Sequence, residues 1–290
     1  MGINPIMAFW FSRLAQRGAF EGLRSIIDLG PQDMRTTRAV IEQIVRRHAD
    51  DGQVDEMMAA FCPYGDDRFA PNSQERLYSL FGLAPYHSID LSDNRATYAY
   101  DLNHPIAAGR QYDVVTNFGT AEHCFNIAAV FESVHNLLRP GGLSLHVLPA
   151  FGDIDHGFYN IHPMIFGHLA RANGYQIVDV QYVDHLHLKS LQVQERPEDG
   201  FDFDGLQISF DDMQNHRLFT RKVTVAFVIN AADAETAEKV MPQVHEAPAI
   251  VFDYSFVALR KLSSAAFVWP QQASIDDQYW RQIDPVAAAS

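Results

Sequence analysis

Apolar residues fall into two rhythms along this chain: short unbroken runs that stop at an acid or a glycine, and longer stripes spaced three and four residues apart. The runs fit strands of a parallel sheet buried on both faces, and the stripes fit the helices that cross between them. In residues 24–33 (RSIIDLGPQD), Ile26 and Ile27 read as a buried strand, Asp28 closes it, and Gly30 opens a turn suited to a residue without a side chain. The theme returns between 86 and 149 as YHSIDL, YAYDLNHP, YDVVTNFGTAEH and LLRPGGLSLHVLP, predicting strands at 86–89, 96–100, 113–116 and 143–148. A sixth strand is expected at 175–182. The β-branched run VTVAFVI makes 222–229 the expected seventh.

Helical spacing predicts crossovers at 37–48, 73–81, 125–138 and 163–173, with Gly174 suited to the last C-cap. Roughly fifty residues separate the first two strand ends, against about thirty in a plain βαβ unit, so 50–81 reads as an insertion. A second stretch without clear period, 185–217, reads the same way. The expected organisation is an N-terminal helical cap (1–22), a main domain (23–230) with those two insertions, and a C-terminal extension (231–290) packed on it. Within the extension, 231–244 fits a polar helix and 256–267 a short helix or an extended segment. The apolar residues Met7, Trp10, Phe11 and Leu14 fit a helix face covering a pocket, a partner or their own domain.

The 290 residues carry 22 Lys plus Arg against 36 Asp plus Glu, and a formal charge of −14 opposes binding to phosphate backbones. Nucleic acid is therefore not an expected partner. Cys62 and Cys124 lack ligand spacing and predict no disulfide, and the apolar run at 6–11 is too short to span a bilayer. A cytoplasmic protein is expected on these grounds. A homodimer through the apolar N-terminal stretch and the aromatic-rich stretch at 252–280, and packing of both within one chain, are equally compatible with the sequence.

Two clusters follow strand ends on the edge where open α/β sheets bind ligands. Glu122 and His123 come after the fourth strand; Asp153, Asp155, His156, Tyr159, Asn160 and His162 come after the fifth. Imidazoles near a carboxylate suit proton abstraction, with His156 or His123 as base and Glu122 or Asp155 orienting it. Tyr159 and Asn160 are expected substrate or capping contacts, and His162 a substrate contact. Another small group is Asp184, His185 and His187. None of these spacings is a recognised metal pattern, and thirteen histidines will cluster somewhere by chance, so no metal is expected.

In the order IIDLGPQD, IDLSDN, YDLNHP, VTNFGTAEH and LLRPGG, residues 23–229 resemble the class I S-adenosylmethionine-dependent methyltransferases. The NFGTAEHCFN and HGFYN segments resemble those of bacterial small-molecule or glycan methyltransferases. The resemblance implies an α/β fold: a Rossmann-like, seven-stranded, mostly parallel sheet with helices on both faces. It implies S-adenosylmethionine as cofactor, with S-adenosylhomocysteine as product. Asp28 would meet the methionine ammonium, Gly30 and Gln32 its carboxylate side, and Asp90 the ribose hydroxyls. Asp101 and Leu102 would read adenine, while Asn117 and Phe118 would close the methionine side. The acceptor would be an oxygen, less readily a nitrogen, of a small molecule or sugar. A silent binding protein of the same fold, or another reaction with the same cofactor, are the alternatives. Where the family continues with glycines, this chain reads Gly30-Pro31-Gln32-Asp33, so Gln32 must replace lost amides.

Overall fold

The computed structural model describes residues 2–150, 156–183, 207–208, 220–224, 246–250 and 254–271. Its elements are β1 (Gly2–Ile3), α1 (Pro5–Gln16), β2 (Ile26–Leu29), β3 (Asp33–Met34), α2 (Arg38–His48), α3 (Val54–Phe61) and α4 (Ser73–Leu80). There follow β4 (Tyr86–Asp90), β5 (Tyr98–Ala99), β6 (Tyr112–Phe118), α5 (Ile127–Leu137), β7 (Leu138–Pro149), α6 (Met164–Asn173) and β8 (Tyr175–Val183). The series closes with β9 (Gln207–Ile208), β10 (Thr220–Thr224), β11 (Glu246–Ile250) and β12 (Tyr254–Lys261).

Eight strands form the main sheet in the order β5-β4-β2-β6-β7-β12-β8-β9. The first five pair in parallel, β12 is antiparallel to both β7 and β8, and β9 is a two-residue edge antiparallel to β8. Chain order runs outward from β2 to β4 and β5, then returns to β6 on the other flank. That reversal leaves a crevice beyond the carboxyl ends of β2 and β6, where ligands bind in such sheets.

The unbroken apolar runs have a simple cause. Neighbouring residues on each strand serve different layers: Ile26, Val114 and Phe256 belong to one core, Ile27, Val115 and Val257 to the other. The first core is filled from α1 to α4 and the second from α5 and α6. Thr37 caps α2, whose stripe Val40, Ile41, Ile44 and Val45 is wholly buried. Gly174, in the left-handed region at φ 63°, ends α6.

Two expectations are corrected. The seventh strand of the sheet is β12, not 222–229. Residues 220–224 instead pair with 246–250 in a separate two-stranded sheet, and 225–229 lie outside the described residues. Both stretches have strand-forming composition, and the one that enters between β7 and β8 buries Phe256, Val257, Ala258 and Leu259 there. Consequently the sheet extends past the boundary expected at 230. Helix α1, in the stretch expected to form an N-terminal helical cap, packs on its own domain. Asn4 accepts the Met7 N–H at its start, Pro5 fits the first turn, and Ile6 to Ser12 are all buried. Trp10 Nε1 donates to Asp179 on β8 at 2.7 Å, and Arg13 and Arg17 flank the same carboxylate, anchoring α1 to the sheet.

Of the second expected insertion, 185–217, only β9 lies among the described residues; Asp184, His185 and His187 lie outside them. Among the described residues no helix is long and apolar enough to cross a membrane.

Candidate active site

Beyond the ends of β2, β4 and β6 lies a polar cavity of about 340 Å³, walled by Gly30, Gln32, Asp90, Asp101, Leu102, Thr120 and His123 among others. Gly30 forms its floor with φ +83°, and a side chain there would meet Thr120 Oγ1 at 3.0 Å. Its N–H donates to Ile89 O at 2.7 Å, tying the turn to β4. Gln32 folds back over the turn, with Nε2 donating to Gly30 O at 2.9 Å and Phe118 O at 3.4 Å. Its Oε1 is buried and has no hydrogen-bond partner among the described residues, and Gln32 is one of the residues that wall the cavity.

Asp90 is held from behind: one carboxylate oxygen, Oδ1, accepts from the amides of Ser92 (2.8 Å) and Asp93 (2.9 Å). The other points back toward Gly30. Asp101 accepts from the amide and the side chain of Asn103, both at 2.9 Å, and these bonds hold its carboxyl below the usual range. Leu102 supplies apolar wall beside it. Arg95, a wall residue not foreseen from the sequence, clamps Asp33 and Asp93 together at 2.5 and 2.6 Å.

Asp28 does not reach this cavity. It lies two residues inside the sheet, in register with Ser88 and Thr116, and its side chain faces the α1–α4 layer. There it is fully buried and accepts hydrogen bonds from the hydroxyls of Thr116 and Tyr78. Burial pushes its pKa up to about 7 against the opposing pull of those bonds. Asn117 and Phe118 also point away from the opening. Asn117 faces the other layer beside His146 at 3.3 Å, and its Oδ1 accepts the Ala121 N–H at 3.1 Å. Phe118 is a core ring against Phe11, and only its carbonyl touches Gln32. In their stead Gly119 and Thr120 face the cavity. Strand alternation is the reason in each case: a motif names the strand end but not the face a side chain takes.

The expected base cluster does assemble. Ala121–His123 form a single 3-10 turn, with Glu122 fully buried. His156 Nε2 lies 3.5 Å and His123 Nε2 3.9 Å from Glu122 Oε1, and the two rings meet edge to face at 4.8 Å. The turn at Gly157 fixes this contact. Phe158 donates to Glu122 O at 2.7 Å, and a side chain on Gly157 (φ +69°) would collide with that carbonyl at 2.7 Å. Partial burial, then the neighbouring His156, lowers the pKa of His123 and favours its neutral form.

His123 lines the polar cavity, whereas His156 lines a second one of about 180 Å³. This second space is mainly apolar, between Ile6 and Met7 of α1 and Val147, Tyr254 and Phe256 of the sheet, with Arg35 also in its wall. Nothing local in the sequence marks it, because its walls come from both ends of the chain. Tyr159, Asn160 and His162 are not brought to it; they line a third cavity near α5 and α6. There Tyr159 donates to Phe125 O at 2.8 Å, and His162 Nδ1 accepts the Met164 N–H at 3.2 Å, a capping contact for α6. Asp153 and Asp155 lie outside the described residues.

No family model matches the chain, and no curated protein matches its sequence. Among solved structures it is similar to phosphoethanolamine N-methyltransferase 2 of Haemonchus contortus, solved with S-adenosyl-L-methionine, at 15% identity over 88% of this chain and 53% of that one, with a TM-score of 0.41. It is also similar to a SAM-dependent methyltransferase from Archaeoglobus fulgidus (10% identity, 87% and 94% of the two chains, TM-score 0.36). For TehB from Haemophilus influenzae the values are 9% identity, 86% and 61% coverage, and a TM-score of 0.38. At such overlap a functional assignment has to come from this chain's own residues.

Proposed function

We propose that this chain is a class I S-adenosylmethionine-dependent methyltransferase acting on an oxygen, less readily a nitrogen, of a small molecule or sugar. The observation that carries the reading is that His123 lines a polar cavity and His156, in ring contact with it beside Glu122, lines an apolar one. The polar cavity offers acceptors that such a cofactor needs. Gln32 Oε1 is a free acceptor for an ammonium group, Asp90 presents a carboxylate oxygen to ribose hydroxyls, and Asp101 with Leu102 offers a polar edge and an apolar wall for a purine. The fit differs from the one expected from the motif, since Gln32 takes the place assigned to Asp28.

When bound, the cofactor supplies a methyl carbon activated by a sulfonium. What the chain must add is alignment, exclusion of water and removal of the acceptor's proton. His156 faces the apolar cavity and is the proton acceptor in this reading, with the Glu122 carboxylate behind it to balance the imidazolium. The size and apolar walls of that cavity favour a small molecule or a single sugar ring.

Calorimetric titration of cofactor-free protein with S-adenosylmethionine and S-adenosylhomocysteine tests the cofactor assignment, and micromolar binding of both is expected. His156→Ala should then retain binding while methyl transfer to hydroxyl acceptors falls on the order of a hundredfold or more. Unchanged turnover in His156→Ala and in the double variant with His123→Ala would remove the base assignment. A folded protein that binds neither compound would overturn the reading.

A further inference from the structure

We infer that Glu122, His123 and His156 together form a binding site for a divalent transition-metal ion of the imidazole-preferring kind, such as Zn²⁺ or Co²⁺. The inference rests on ligand geometry and goes beyond the cofactor assignment. Among the described residues these three side chains offer one ligand atom each, all within 4.8 Å of one another. Their separations differ from those of a hydrogen-bonded dyad. An imidazole–carboxylate hydrogen bond spans about 2.7–3.2 Å, whereas His156 Nε2 and His123 Nε2 stand 3.5 and 3.9 Å from the same Glu122 oxygen. Two ligand atoms each about 2.1 Å from a shared ion lie roughly 3.4 Å apart at the tetrahedral angle. The 3.5 Å separation matches that value, and the His123 ring has to close in by a few tenths of an ångström or more to complete the set.

The donor chemistry agrees. Two imidazoles and one carboxylate suit Zn²⁺ and its neighbours, and three protein ligands leave a coordination position open. With His123 in the wall of the polar cavity and His156 in that of the apolar one, the cluster stands between the two. Glu122 is buried, so its pull on a divalent charge is weakly screened. The set is also held in advance. Asn117 Oδ1 accepts the Ala121 N–H at the start of the turn that carries Glu122 and His123, and the Phe158 amide fixes the His156 loop to the Glu122 carbonyl. Ion and proton compete for the same His156 nitrogen, so a metal-loaded chain would activate an acceptor hydroxyl by coordination, with the imidazoles as ligands.

The test is titration of chelator-treated full-length protein with Co²⁺, followed by its visible absorption bands, and with Zn²⁺ by calorimetry, both without S-adenosylmethionine. One equivalent bound at micromolar affinity or tighter is expected, with His123→Ala and His156→Ala each weakening it at least tenfold. His104→Ala, an exposed imidazole outside the cluster, should leave the affinity unchanged. Gly157→Ala keeps every ligand but pushes the His156 loop off Glu122, so it should also weaken the ion; this variant covers the case in which Glu122→Gln fails to fold. Wild-type protein that binds no more Co²⁺ than the folded double variant at His123 and His156 would overturn the inference. S-adenosylmethionine binding measured with chelator present keeps the two proposals apart, since its loss speaks against the cofactor assignment and its persistence says nothing for the metal.

Discussion

Asp28 and Asp90 end neighbouring parallel strands in similar sequence, IIDLG and SIDLS, yet they occupy opposite environments. Asp28 pairs in register with Ser88 and Thr116, inside the sheet, and its carboxyl is sealed against Tyr78 in the α1–α4 layer. Asp90 stands one residue beyond the Leu29–Ile89 pair, at the level of Gly30, where the sheet has opened into the polar cavity. A shift of two positions along a strand turns a ligand-facing acid into a buried one. Burial favours the neutral form of the first, while the backbone amides of Ser92 and Asp93 hold the second in place.

The largest effect expected from this contrast is on stability at alkaline pH. Folded Asp28 keeps its proton up to about 7, whereas in the unfolded chain it releases it near 3.8. Between these values the folded state binds more protons, so stability is greatest below the unfolded value and falls as pH rises through about 7. Asp28→Asn removes that loss, and above pH 8 the variant should be more stable than the parent by on the order of 4 kcal/mol. Urea melts at about pH 5 and pH 8.5 check the sign: a variant destabilised equally at both would mean that the carboxyl is not the strained group. The same variant should bind S-adenosylmethionine unchanged.

Asp90→Ala should do the reverse, leaving the melts nearly unaltered and weakening S-adenosylmethionine tenfold to a hundredfold, the worth of about 1.5–3 kcal/mol for hydrogen bonds to a charged group. Equal affinity in the variant would move the ribose contact elsewhere in the cavity. Loss of affinity in both variants would erase the contrast.

How much of this was legible in the sequence follows from which signals are local. Strands β2, β6 and β7 announce themselves as apolar runs closed by an acid, an asparagine or a proline, β4 by an Ile-Asp-Leu that repeats the one in β2, and α2 by one stripe with a threonine cap. The cluster of Glu122, His123 and His156 was also foreseeable, because both loops must rise from the same sheet edge. Choosing the last strand was not. The 222–229 and 254–261 stretches satisfy the same local preference, and only the pairing of 254–261 with β7 and β8, against that of 220–224 with β11, separates them. The facing of Asp28, Asn117 and Phe118 was hidden for a related reason: a run apolar on both sides carries no alternation from which to read a side. The apolar cavity left no signal, being assembled from residues near position 7 and near position 255.

The smallest expected effect concerns Gln32, which the contrast makes a substitute for Asp28 at the cavity. Its Nε2 is used to hold the turn at Gly30, leaving Oε1 as the one buried acceptor in that wall, among the described residues, without a partner. Gln32→Leu keeps the bulk and removes that acceptor, so S-adenosylmethionine should weaken by roughly threefold to tenfold, about 1 kcal/mol, the net worth of an ordinary hydrogen bond. Adenosine has no ammonium group and should bind the variant and the parent alike. This pairing separates a lost contact from a disturbed turn, because collapse of the Gly30 turn would weaken both compounds together. Selective loss for the ligand that carries the ammonium is the outcome that places a neutral amide where the sequence motif pointed to a carboxylate.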